Sequence, residues 1–228
     1  MFEGRYGKSL TVGLIILILI VIGVLIFFTV DYVESMKIND EASNAVDRFE
    51  GSVNKQEEEE KPKNNNEQVS DNNVQLNIQN ENITIEDPSN SGYMNTYKGF
   101  PVVGIIEIPK IDLKYPVLED GTKDAIEVSV AINGGPGLNR EGNTIIIGHN
   151  YRNGTFFSNN KNLSNGDKVY ITDKTGTKLE YTIYSIYTTT PEDSDYMDID
   201  TEGKKEVTLV TCTDDTKNRL VICARAEE

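Results

Sequence analysis

EVTLVTCTDDTKNRLVICARA, residues 206–226, holds two β-rich runs around a polar loop. EVTLVTC (206–212) and RLVICARA (219–226) are rich in Val, Leu, Ile and Thr, whereas residues 213–218 are Thr, Asp, Lys and Asn only. Runs of this kind, bounded by turn-forming polar residues, read as strands. Upstream lie VVGIIEI (102–108), YPVL (115–118), NTIIIGH (143–149), DKVYITD (167–173) and KLEYTIYSIYTT (178–189), the last two separated by Lys174-Thr175-Gly176-Thr177. Segments 121–130 and 155–163 have room for one or two helical turns each. Seven or eight strands within residues 93–228 predict a mainly β domain closed, or nearly closed, into a barrel.

The N-terminal part is built differently. LTVGLIILILIVIGVLIFFTV, residues 10–30, runs for 21 residues without a charge. A bilayer core takes about 20 helical residues, and a buried soluble helix is seldom apolar on every face. Arg5 and Lys8 precede the segment, and Asp31, Glu34 and Asp40 follow it. By the positive-inside rule residues 1–9 form a cytoplasmic tail and the rest lies outside. The run is longer than a signal-peptide core and leads into Thr29-Val30-Asp31-Tyr32, with no small-x-small cleavage site. An uncleaved transmembrane signal-anchor is the reading.

Residues 31–50 carry helix formers with spaced apolar positions and predict a juxtamembrane helix. Residues 51–92 hold ten Asn, no aromatic residue, and nine acids against three lysines. Such a segment buries too little apolar surface to offset its ordering entropy, so a disordered spacer is expected. The domain starting at residue 93 then carries the chemistry. With Lys and Arg at 22 and Asp and Glu at 37, the chain has a formal net charge of −15. That excludes a nucleic-acid binder, which needs a basic stripe. One His and two Cys exclude four-thiolate zinc sites and cysteine-dense scaffolds.

One His and one Cys are enough for nucleophilic acyl transfer. His149 ends an apolar strand and opens the loop His149-Asn150-Tyr151-Arg152-Asn153-Gly154. A lone His is more often structural, but strand ends often face a cleft. Cys212 ends a strand at a polar loop, where a thiol is a candidate nucleophile. Cys223 is read as structural, with a disulfide to Cys212 as the alternative. Arg219 opens the last strand. It either stabilises a thiolate or oxyanion beside Cys212 or pairs at the barrel rim with Asp214 or Asp215, and the sequence leaves both open.

Together these residues resemble a family. TLVTC (208–212) followed by Arg219 in RLVICA closely resembles the active-site signature of sortases. GNTIIIGHN (142–150) resembles the segment delivering the catalytic His, VVGIIEIPKIDLKYPV (102–117) the opening strands, and FFSNNKNLSNGDKVYI (156–171) the link to the next strand. The resemblance implies a closed eight-stranded β-barrel with short helices and a cysteine transpeptidase on the outer face of a Gram-positive membrane. It implies Cys212 as nucleophile, His149 as general acid/base, Arg219 as oxyanion or substrate stabiliser, and Thr211 as a substrate-binding residue. Substrates would be surface proteins with an LPxTG-like C-terminal sorting signal. The acceptor would be an amine of a cell-wall precursor or of a pilin. The scheme needs no cofactor or metal.

Subclass signals are mixed. GHNYRNGTFF resembles class B, whereas the L-x-x-G-D ending of FFSNNKNLSNGD is seen in other classes. Asp87-Pro88-Ser89 occupies the region where pilin-polymerising sortases carry an Asp-Pro-aromatic lid, but without the aromatic it reads as a spacer turn. The chain also ends at Glu228, just past the last strand. Both features favour cell-wall attachment over pilin linking. The alternatives are a hydrolase with the same residues, a catalytically inactive anchored binding module, and a thiol-redox protein, which would lack a Cys-x-x-Cys pair.

Overall fold

The structure, a computed structural model, describes residues 5–59 and 95–227. A long helix α1 (Arg5–Glu59) precedes the strands β1 (Thr96–Tyr97), β2 (Phe100–Ile108), β3 (Leu113–Leu118), β4 (Val130–Gly134), β5 (Gly142–Ile147), β6 (Lys168–Asp173), β7 (Lys178–Thr189), β8 (Lys205–Cys212) and β9 (Arg219–Ala226). A one-turn helix α2 (Lys123–Ile126) lies between β3 and β4. The sheet runs β1-β2-β3-β4-β5-β8-β9-β7-β6, and β6 pairs back onto β2. Strands β2 to β9 therefore form a closed eight-stranded barrel, with β1 a two-residue addition on β2. The β3–β4 and β5–β8 pairs are parallel and the others antiparallel.

Closure depends on a close approach of β2 and β6. A Cβ on Gly104 would lie 2.3 Å from the Thr172 carbonyl oxygen, so only glycine fits there. A register shift between Val102 and Gly104 then splits β2 between two cores. Ile106 and Ile108 point into the barrel with Tyr115, Ile146, Leu209 and Ile222. Val102 and Ile105 face outward.

That outward patch is covered by α1. Ala42, Ala45, Val46, Phe49 and Val53 recur at helical spacing, and all five are buried. Ala45, Val46, Phe49 and Val53 pack with Tyr97, Val102, Ile105, Leu118, Ala125 and Ala131. Burial pushes the Tyr115 phenol up to about 12, so it stays protonated and donates to Asn39 Oδ1. Ion pairs Glu41–Lys98 (2.7 Å) and Glu50–Lys114 (2.9 Å) flank the contact. Exposed pairs contribute about 0–1 kcal/mol each, whereas a buried Phe or Val contributes about 1.5–3 kcal/mol. The apolar face therefore holds the helix down.

The helix departs from the sequence reading in one respect. Residues 51–59, expected as spacer, continue α1. Val53 is buried on the barrel, and Asn95 Nδ2 donates to Ser52 Oγ at 2.6 Å. The remainder of the expected spacer lies outside the described residues, as does Asp87-Pro88-Ser89. At its other end α1 is apolar and exposed, with Leu19 62% and Phe27 70% accessible. It is long and apolar enough to cross a membrane.

Docking of α1 has a stability consequence. Phe49→Ala is expected to lower the unfolding free energy by about 3 kcal/mol. A chain beginning at residue 93 should have a lower urea midpoint than one beginning at residue 31. Tyrosine fluorescence reads both, since the chain has no Trp. Equal midpoints would mean that α1 adds nothing to the barrel.

Candidate active site

Strands β5, β8 and β9 lie side by side, and their register builds the site in three rungs. Ile145 pairs with Thr208, which pairs with Cys223; Ile147 pairs with Val210, which pairs with Val221. One rung higher, Cys212 pairs with Arg219. Continuing the parallel β5–β8 register two residues beyond Ile147 brings His149 level with Cys212. Because side chains alternate along a strand, the three rungs share the outer face of the barrel. Ile145, Val210, Val221 and Cys223 of the lower rungs are buried together, under Tyr196 and Ile199 of the β7–β8 loop. His149, Cys212 and Arg219 remain partly accessible.

The strand ends are pinned. Thr211, on the opposite face of β8, is buried, and its hydroxyl donates to the Gly148 carbonyl oxygen at 2.7 Å. Asn150 Nδ2 donates to the Cys212 carbonyl oxygen and to Asp214 Oδ1, both at 3.0 Å. Gly148 is needed for this approach: a Cβ there would lie 2.8 Å from Val130 Cγ1 and 3.0 Å from the Phe157 ring. The Thr211 hydroxyl thus ties the end of β8 to the segment leading into His149.

Arg219 Nη1 lies 3.3 Å from Cys212 Sγ. Of the two roles left open by the sequence, the geometry matches the one beside the thiol. The rim acids are engaged elsewhere. Asp214 pairs with Lys161 at 2.6 Å, and that ammonium, then the Asn150 amide, holds it below the usual carboxylate range. Asp215 accepts from Thr213 Oγ1 and the Lys217 main chain. Cys212 and Cys223 are both free thiols, two rungs apart. Burial pushes the Cys223 thiol up, which suits a structural core residue.

Two neighbours of His149 were not indicated by the sequence. Glu127, at the C-terminal cap of α2, places Oε1 3.3 Å from His149 Nε2. Tyr151 stacks on the imidazole at 4.8 Å between ring centres, and its hydroxyl donates to Glu127 Oε2. That hydrogen bond is the main cause holding Glu127 below the usual carboxylate range, with His149 and Lys123 adding to it. No spacing rule links Glu127 to His149, because they meet only through the β3–α2–β4 connection.

A hollow of about 770 Å³ lies between the β3–α2 and β4–β5 loops and is lined by none of His149, Cys212 and Arg219. Among the described residues no group of three or more His, Cys, Asp or Glu side chains is placed to hold a metal ion.

Comparisons with known proteins agree with this geometry. The family model described as "Sortase domain" matches residues 106–227. Sortase A of Bacillus anthracis is 32% identical over 124 residues, covering 53% of this chain and 58% of that protein. Among solved structures, Sortase A from Corynebacterium diphtheriae aligns with a TM-score of 0.52 at 29% identity, covering 57% of this chain and 62% of that one. A Clostridium perfringens Sortase D5 transpeptidase aligns with a TM-score of 0.51 at 30% identity, covering 56% and 80%. The chain spans little more than half the length of the curated relatives it matches.

The pinning of β5 to β8 is testable. Thr211→Val leaves the buried Gly148 carbonyl without its side-chain donor, which costs about 1–3 kcal/mol. Thermal unfolding should show that loss, together with slower alkylation of Cys212 if the rung is displaced. An unchanged melting temperature would show that the hydroxyl pins nothing.

Proposed function

This chain belongs to the sortase family, and on that premise we propose that it is a membrane-anchored cysteine transpeptidase. It cleaves an LPxTG-like C-terminal sorting signal through a thioester on Cys212 and passes the surface protein to a cell-wall amine. The observation that carries this reading is Arg219 Nη1 3.3 Å from Cys212 Sγ, at the end of the β5–β8 ladder that leads into His149. Residues 10–30 anchor the enzyme as a single-pass protein, with residues 1–9 cytoplasmic and the barrel outside a Gram-positive membrane.

The chemistry follows from these groups. The Cys212 thiolate attacks the scissile carbonyl carbon, and the C–O π pair moves to oxygen. Arg219 presents a planar fork of donors to that charge. As the oxyanion collapses, the C–N bond breaks and the protonated His149 gives its proton to the leaving amine. An incoming amine then attacks the thioester, His149 takes its proton, and the Cys212 sulfur leaves. Thr211 serves this scheme by holding Gly148, and hence His149, at the level of Cys212. The partners are surface proteins with a sorting signal and a cell-wall precursor or pilin amine.

The test uses the full chain in detergent micelles, LPxTG-like peptides, and triglycine or a lysine peptide as acceptor. Intact-mass spectrometry should find the acyl adduct in the wild type and the ligated product once the amine is added. Cys212→Ala should remove both while the fold is kept. Arg219→Lys should lose about a hundredfold or more, since a point charge does not reproduce the fork. Turnover by Cys212→Ala would overturn the mechanism. Hydrolysis without ligation to either amine would reduce the enzyme to a peptidase. Ligation to the lysine peptide alone would reassign it to pilin linking.

A further inference from the structure

His149 is the only histidine of the chain, and a catalytic imidazole works only from a fixed orientation and a defined tautomer. Its Nε2 is buried and has no hydrogen-bond partner of regular geometry. The group beside it is a carboxylate, Glu127 Oε1, at 3.3 Å. The other carboxylate oxygen accepts from the Tyr151 hydroxyl, and the Tyr151 ring lies nearly parallel to the imidazole, at 27°. The ring is thus held on one face by an aromatic plane and on one edge by an anion, and the two holders are bonded to each other.

Glu127 is itself placed by the fold. Thr122 caps α2 by accepting from the Ala125 main-chain N–H. Ala125 is buried in the cluster that seats α1 on the barrel. The carboxylate therefore stands on an element backed by the docked helix, although half of its own side chain is accessible.

We propose that Glu127, braced by Tyr151, is a positioning residue for acid–base chemistry at His149. Its carboxylate accepts the Nε2–H, fixes the ring and its tautomer, and leaves Nδ1 as the nitrogen that gives and takes the transferred proton. In the imidazolium both nitrogens carry hydrogen; the Nδ1 proton goes to the leaving amine and the Nε2–H stays on Glu127. Touching no reacting atom, Glu127 acts through His149 alone. The catalytic half of this inference rests on the transpeptidase reading, and the tautomer half does not.

The experiment uses the full chain in micelles with 15N-labelled histidine, for which a single residue gives the signals. Neutral His149 should show the 15N shift pattern of the Nε2–H tautomer, and Glu127→Ala should mix the two tautomers. In peptide turnover Glu127→Ala should lower kcat by about tenfold to a hundredfold with KM within about twofold, a fraction of what an acid–base group contributes. Glu127→Asp should recover part of the loss, and Tyr151→Phe, which keeps the stacked ring, should fall between wild type and Glu127→Ala. An unchanged tautomer pattern in Glu127→Ala would overturn the proposal, as would an unchanged kcat in an active enzyme. A tautomer change in a protein that acylates on no peptide would keep the brace and overturn the transpeptidase reading instead.

Discussion

The site depends on the parallel pairing of β5 with β8. These strands are far apart in sequence, and a parallel pair needs a long crossover. Here the crossover contains β6 and β7, which wrap round to close the barrel against β2. Closure and the alignment of the strand ends are therefore linked: the β6–β2 pairing closes the barrel, while the β5–β8 ladder and the Thr211–Gly148 hydrogen bond set the strand that ends at Cys212 against the one that leads to His149. The glycines at positions 104 and 148 mark two close approaches in this arrangement, one at the seam and one at the strand end.

Stability and chemistry are divided between the faces of the same strands. In β8 the inward residues Val207 and Leu209 fill the barrel, and Val210 lies under the β7–β8 loop. Only the end of the strand carries reactive groups. Asn143 anchors that loop by donating to the Tyr196 carbonyl at 2.8 Å and accepting from Thr208 at 2.8 Å. The lower rungs are buried, whereas His149, Cys212 and Arg219 at the strand ends are partly accessible. A site built on strand ends is held more firmly than one built on loops.

Much of this was legible in the sequence because strand periodicity and turn chemistry agree. All seven strand runs read from the sequence are present, with small shifts at their ends. β4 was not read as a strand: Val130–Gly134 is short, begins within a stretch with room for a helical turn, and ends at Gly134-Gly135-Pro136. Its strand character comes from pairing with β3 and β5, not from its own pattern. The extension of α1 over residues 51–59 was hidden by their acidic and Gly-containing composition. The docking face was present as Ala42, Val46, Phe49 and Val53, but a periodic stripe does not say what it packs on. Glu127 was invisible for a similar reason, since its partner is supplied by topology.

If Cys212 holds the acyl group between two separate half-reactions, initial rates with peptide and amine varied together give parallel double-reciprocal lines, the signature of a ping-pong sequence through a thioester. Intersecting lines would mean that both substrates bind before any bond breaks, and would contradict a free acyl-enzyme on Cys212.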